Sequence, residues 1–353
     1  MVMRNIKKIG IIGHFGGNEN FSDGQTIKTK ILYNELKKST NWEIIKVDTY
    51  YKKNNPIKLL KDTLLCLFSA KDIIVLLSGN GMKFYFPLLY FFSKYFHKKV
   101  YHDVIGGNLD KYIEKYPNFR KYLNSFEVNW VETEGLKKKI LNQKVTNCEV
   151  IPNFKRLNII KKVNLEINEP YKFCIFSRIM KEKGVEDAIN TIKKINHKNK
   201  RKVCILDLYG NIDKNYESRF NELTKTFGEE ISYKGIVPYN ESSVILKNYF
   251  ALLFPTYWDG EGFPGTIVDA FSAGIPVLAS DWNCNKEIVS NKEDGIIYPN
   301  DEIKDLEEAI EWLIKNKNQM EVLKKNCIEK AENYQPDKYI KQIVIKIKNQ
   351  KKM

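Results

Sequence analysis

Short apolar runs rich in β-branched residues recur along the chain, and stretches with helical spacing separate them. No other feature constrains the fold as much, because runs of this length and content fit strands buried on both faces of a parallel sheet. In the first half they fall at 9–13, 43–47, 73–77, 99–102, 128–131 and 149–151, and in the second at 173–176, 203–208, 231–233, 251–254 and 277–279. Between the first two, residues 26–38 place Ile27, Ile31 and Leu36 on one helical face, and further helical patterns cover 185–195 and 266–273. Strand and helix in alternation predict an α/β protein with two doubly wound domains facing across a cleft.

The stretch 152–171 has prolines near both ends and polar residues between, so it reads as the linker. This gives a first domain over 1–160, a second over 170–335, and a basic helical tail over 336–353. A chain of 353 residues accommodates two such domains.

Charge separates the halves. The net +15 comes from 58 Lys and Arg against 43 Asp and Glu, and residues 1–160 hold 27 of the basic groups and 14 of the acidic, or +13. The remainder is close to neutral, so an anionic partner is expected to meet the first half. A nucleic acid is the weaker candidate, since the cations are scattered over helix faces and no DNA or RNA motif occurs. The segment 84–96, FYFPLLYFFSKYF, stands in a window, 51–100, with nine basic and two acidic residues. It is too short to span a bilayer, which needs roughly 20 apolar residues. Two readings remain: a core helix entered at Pro87, or an aromatic surface seated at a lipid interface among lysines.

The cysteines form no CxxC pair, which fits free thiols in a reducing compartment. The start, MVMRNIKKIGIIGHFGG, lacks the apolar stretch and cleavage site of a secretory signal, and the expected location is the cytoplasm.

Three constellations carry chemistry. After the first strand, His14-Phe15-Gly16-Gly17 leads through Gly24 into a helix, a loop in which backbone amides could approach a phosphate. After the strand ending at Ser177 come Arg178 and Lys183, two cations at the carboxyl end of a strand, able to neutralise a diphosphate. The third runs from Phe254 through Glu261-Gly262-Phe263-Pro264-Gly265-Thr266 to Asp269 and Val277. Glu261 and Asp269, eight positions apart, are suited to binding two sets of sugar hydroxyls rather than to acid–base work on one bond. The Asp259-x-Glu261 pair lacks the further ligands of a nucleotide-bound metal, and no metal or other cofactor is expected. His14 and His197 read as exposed loop residues, and His102, which ends an apolar strand beside Asp103, reads as structural on position alone.

Taken together, the third constellation resembles the glycosyltransferase family 4 pattern, in which E-x7-E sits among EGFG-like residues before A-x-A-x-G-x-P-V. Arg178 and Lys183-Gly184 resemble its R-x4-K-G, and Glu287, Gly295 and the helix after them resemble its usual ending. The likeness is strong over 173–310 and looser before, where Gly16–Gly24 and His102 in YHDVIGG are less specific matches.

The resemblance implies a GT-B fold whose last helix crosses back to the first domain, and a retaining, metal-independent glycosyltransferase. Arg178 and Lys183 would hold the donor diphosphate, Glu261 the donor sugar, Asp269 the ribose, and His102 the sugar's 6-position. Gly262, Phe263, Pro264, Gly265 and Thr266, with Gly16, Gly17 and Gly24, would complete the donor cradle. Asp269 stands where the family more often has Glu, which shortens its reach by one methylene. The partners implied are a nucleotide-sugar donor, UDP-sugar favoured, and a saccharide acceptor carried on a polyprenyl diphosphate, as in bacterial capsule, exopolysaccharide or O-antigen synthesis. With the basic first half, an anionic cytoplasmic membrane surface joins them. The alternatives are an enzyme of the same fold with a soluble acceptor, and a non-catalytic protein that binds nucleotide sugar or nucleic acid.

Overall fold

The computed structural model describes residues 6–19, 23–238, 241–300 and 302–349. The first five and last four residues of the chain, and Asn20–Phe21–Ser22 of the glycine loop, lie outside it. The chain forms two compact units, one running to Arg156 and resuming at Gln335, the other Leu157–Tyr334.

The first unit is a six-stranded parallel sheet in the order β2-β1-β3-β4-β5-β6, with β1 Lys8–Gly13, β2 Glu43–Asp48, β3 Asp72–Leu76, β4 Lys99–Asp103, β5 Val128–Val131 and β6 Cys148–Val150. Every residue of β3 is buried, and its side chains alternate between two cores. Ile73 and Val75 join one core with Phe86 and Leu89, whereas Ile74 and Leu76 join the other with Leu32 and Tyr101. Helices therefore cover both faces, as a continuously apolar strand requires. The second core is closed by the last helix, Pro336–Lys348, whose Tyr339, Ile340, Ile343 and Ile347 lie against Leu32, Leu36 and Phe154.

The second unit repeats the plan in the order β12-β11-β10-β7-β8-β9, with β7 Tyr171–Phe176, β8 Cys204–Tyr209, β9 Ile231–Gly235, β10 Ala251–Phe254, β11 Val277–Ser280 and β12 Gly295–Tyr298. All its pairings are parallel. Eleven of the twelve strands coincide with the expected runs to within two residues at either end. The twelfth, β12, was not expected: GIIY is a brief apolar run at the sheet edge that follows the polar turn before it.

Two helices depart from expectation. In the helix Gly24–Ser39, Ile27 and Ile31 are only half-buried. The buried face is instead Lys28, Thr29, Leu32, Glu35 and Leu36. The aromatic run belongs to the helix Gly79–Phe96, which begins well before Pro87 and carries that proline inside it. Tyr85, Phe86, Leu89 and Phe92 enter the core, as one reading held, while Phe84, Phe91, Tyr95 and Phe96 face outward. All six cysteines are free and buried, with no disulfide among them.

Candidate active site

The second unit's strand order reverses where β7 lies between β8 and β10. At such a switch point the loops leaving neighbouring strands diverge and open a crevice at their carboxyl ends. The loop after β7 supplies Arg178 and Lys183, and the loop after β10 supplies Thr256 to Gly265.

These loops are stitched to each other. The Tyr257 amide donates to the Glu182 carbonyl at 2.8 Å. Gly184 has φ +69° and initiates the helix Val185–Asn199, and a Cβ there would stand 2.1 Å from the Pro255 carbonyl oxygen. Only glycine combines that backbone conformation with that approach, which gives Lys183-Gly184 a physical reason to occur as a pair.

Lys183 and Glu261 are both buried, and the Lys183 ammonium donates to the Glu261 carboxylate. Thr256 Oγ1 lies 3.1 Å from the same carboxylate oxygen. The Lys183 ammonium also stands 4.9 Å from the centre of the Trp258 ring and 5.5 Å from that of Phe254. Arg178 is half-exposed, with its guanidinium 3.6 Å from Asp213. A buried ammonium and a half-exposed guanidinium at one strand end are suited to an anion with two phosphates.

Beyond them Pro264 precedes the helix Gly265–Ser272, whose first amides have no acceptor within the helix and face outward along its positive end. Thr266 Oγ1 has no hydrogen-bond partner among the described residues. Asp269 is buried one turn further on. Phe263 departs from expectation: its ring is buried in the core and meets Tyr334 edge-on at 5.4 Å, so only its backbone is left to the site.

Support for the Glu261 loop comes from the segment after β11, in which the sequence reading assigned no site residue. Trp282 Nε1 donates to the Trp258 carbonyl at 2.9 Å, Asn283 Nδ2 to the Glu261 carbonyl at 3.2 Å, and Cys284 Sγ to the Gly262 carbonyl at 3.1 Å. Ser280 Oγ, at the end of β11, donates to the Thr256 carbonyl at 2.6 Å. A polar and aromatic cluster directly after a strand, SDWNC, was the available signal.

The remaining expected residues lie in the first unit, and the structure corrects Gly17 and His102 among them. Gly16 and Gly17 have positive φ, but the amides of Phe15 and Gly17 donate to the Asp48 carboxylate at 2.8 and 2.9 Å. The helix after Gly24 is capped by Asp23, whose carboxylate accepts from the Thr26 amide at 3.1 Å. Two aspartates thus hold the amides of Phe15, Gly17 and Thr26, so the Gly17 amide, expected in a phosphate cradle, is already taken by Asp48.

His102 is fully buried. Its Nδ1 lies 3.1 Å from Asn129 Oδ1, its ring meets Phe86 edge-on at 5.1 Å, and Nε2 has no partner among the described residues. Burial, with some help from the Lys28 charge, lowers its pKa to about 4. A neutral imidazole enclosed by phenylalanines does not reach a sugar, so the expected 6-position contact is withdrawn.

Beside it is a cluster that sequence reasoning missed. The Lys28 ammonium stands 2.6 Å from Asp103 and 2.9 Å from Glu132, at the carboxyl ends of β4 and β5, and donates to the Val104 carbonyl at 2.8 Å. Burial opposes charge on Lys28, but the two carboxylates outweigh it and raise its pKa. Among the described residues no three His, Cys, Asp or Glu side chains form a group able to hold a metal ion.

Residues 158–333 match the profile of the family described as glycosyl transferases group 1. Over 96 residues the chain is 31% identical to the UDP-Gal:α-D-GlcNAc-diphosphoundecaprenol α-1,3-galactosyltransferase of Escherichia coli, covering 27% of this chain and 24% of that protein. The chain spans less than half the length of each curated relative that it matches. Among solved structures it is similar to sucrose-phosphate synthase from Thermosynechococcus elongatus, with TM-score 0.77 at 14% identity over 97% of this chain and 98% of that one. It is also similar to HepE of Anabaena in complex with UDP and glucose, with TM-score 0.74 at 12% identity over 97% of this chain and 100% of that one. At such identities the likeness concerns the fold, which is the GT-B form of α/β architecture.

Proposed function

The chain belongs, through residues 158–333, to the glycosyl transferases group 1 family, and from that premise we propose that it moves a sugar from a UDP-sugar to a hydroxyl of a saccharide acceptor, with retention at the anomeric carbon. The observation that carries this reading is the convergence of Lys183, Arg178, Glu261 and a helix N-terminus at the carboxyl ends of β7 and β10.

In this scheme the donor diphosphate displaces Glu261 from the Lys183 ammonium and takes Arg178 and the first amides of Gly265–Ser272 as further partners. Glu261, released, accepts from hydroxyls of the donor sugar, and Asp269 from the ribose. The bond between C1 of the sugar and the phosphate oxygen breaks as the acceptor oxygen bonds to C1 on the same face. The acceptor's proton passes to the departing phosphate oxygen, and UDP leaves. Lys183, Arg178 and the helix terminus stabilise charge that grows on the diphosphate as that bond lengthens. We assign no metal to these steps.

The acceptor we assign is a lipid-linked saccharide of bacterial surface-polysaccharide synthesis. The name of the Escherichia coli relative supports both it and the uridine base, and the UDP and glucose bound by HepE support the donor. Thermal shift and donor hydrolysis against UDP-, GDP-, ADP- and dTDP-sugars, with and without EDTA, test the reading. A shift confined to UDP-sugars that survives EDTA and vanishes in Lys183→Ala is expected. No shift with any of them would overturn it.

A further inference from the structure

Two neighbouring helices of the first unit are apolar toward water as well as toward the sheet. In the helix Pro56–Ser69, Thr63, Cys66 and Leu67 face inward. Ile57, Leu60, Leu64, Leu65 and Phe68 are exposed at helical spacing on the other side, Ile57 by 80% and Phe68 by 63%. In the helix Gly79–Phe96 the outward side chains include Phe84, Phe91, Tyr95 and Phe96. The helices touch, through Thr63 Oγ1 and the Tyr85 hydroxyl at 3.0 Å and through Phe68, whose ring centre is 5.7 Å from Phe92 and 6.4 Å from Phe96. Nine of the sixteen exposed large apolar side chains among the described residues thus fall on one continuous surface. Soluble proteins rarely leave so much apolar area together without a partner.

Charge narrows the partner. Between residues 51 and 100 every exposed Lys, Arg, Asp or Glu is a lysine, with Lys52, Lys53, Lys58 and Lys61 around the first helix and Lys83 and Lys94 on the second. Asp72 is buried and paired with Lys7 at 2.9 Å, and Asp62 is half-buried. A second copy of the same face would set lysine against lysine. A nucleic acid would satisfy the lysines but leave the aliphatic stripe in water. An anionic bilayer answers both, with negative headgroups for the ammoniums and hydrocarbon just beneath for the apolar side chains.

We propose that the face formed by Pro56–Ser69 and Gly79–Phe96 seats on an anionic phospholipid bilayer. It does so without crossing, since no helix among the described residues is long and apolar enough to span a membrane. This inference stands on the first unit's surface and does not depend on the sugar chemistry.

The test is flotation of the full chain with phosphatidylcholine vesicles that do or do not contain phosphatidylglycerol. Binding to the anionic vesicles is expected to be at least ~10-fold stronger than to the neutral ones and to weaken with salt. In Leu64→Glu/Phe68→Glu it is expected to fall ~10-fold or more while the melting temperature and UDP-induced shift stay as in the parent protein. Should that pair fail to fold, Ile57→Glu/Leu60→Glu, at the most exposed end of the stripe, is expected to give the same loss. Absence of flotation, equal binding to both vesicles, or unaltered binding by a folded variant would overturn the proposal. So would a dimer that the same substitutions dissociate.

Discussion

Lys183 and Glu261, 78 positions apart in the chain, meet as a buried ion pair where the β7 and β10 loops converge. A buried pair is costly to break by removing one partner, because the other is left charged and unsolvated. Lys183→Met is therefore expected to destabilise the second unit by about 3 kcal/mol or more. Lys183→Met/Glu261→Gln is expected to recover much of that loss in a thermal melt. Calorimetric titration with UDP-sugar is expected to find binding abolished in both. Recovery of stability without recovery of binding separates the structural role of the pair from its role toward the donor.

Gly184 gives a second prediction. With φ +69° and the Pro255 carbonyl 2.1 Å from where a Cβ would stand, Gly184→Ala forces the two loops apart. Left-handed strain alone costs about 1–3 kcal/mol, and the collision adds to it. The expected result is a lower melting temperature and a weakened donor-induced shift, whereas Gly24→Ala, where a Cβ meets open space, changes neither.

The third concerns pH. The folded-state pKa of His102, about 4, lies below its ordinary 6.5, so on acidification the unfolded chain takes up the proton first. The stability held in this group is complete above the unfolded value and drains as pH falls toward the folded one, by about 3 kcal/mol in all. Denaturant titrations of wild type and His102→Gln between those two pH values are expected to show the steeper loss in the wild type. Equal slopes would mean that His102 is not the group responsible.

A fourth follows from Asp48. Its carboxylate accepts from the amides of Phe15, Gly17 and Tyr50 at 2.8, 2.9 and 3.0 Å. Hydrogen bonds to a charged group each contribute about 1.5–3 kcal/mol, so Asp48→Ala is expected to lower stability by at least that much. Hydrogen exchange at Phe15 and Gly17 is expected to accelerate, with no change in UDP binding.

The contrast between Lys183 and Lys28 indicates what was legible in the sequence. Lys183 stands in a stretch where glycines, a strand end and a second cation fall at characteristic distances, so its neighbours announce it. Lys28 is one of several lysines on an amphipathic helix, and such charges read as solvated. Only the fold brings Asp103 and Glu132 against it and turns Ile27 and Ile31 partly outward.

Asp48 was hidden for a similar reason. A glycine loop advertises available amides, while the carboxylate that uses them comes from the next strand. Strands buried on both faces were easy to find because their composition is distinctive. The edge strand β12 and the outward stripe of Pro56–Ser69 were not, since apolar residues carry no mark of which side of a helix they will occupy.

The return of Pro336–Lys348 to the first core also governs the order in which the protein can be completed. Synthesis delivers residues 157–334 as one uninterrupted segment, so the second unit can close its own core as soon as it leaves the ribosome. The first unit, made earlier, waits with Leu32, Leu36 and Phe154 uncovered until Tyr339, Ile340 and Ile343 arrive. The unit begun first is therefore the last to have all of its core residues made, and until then it presents apolar surface of the kind that promotes aggregation.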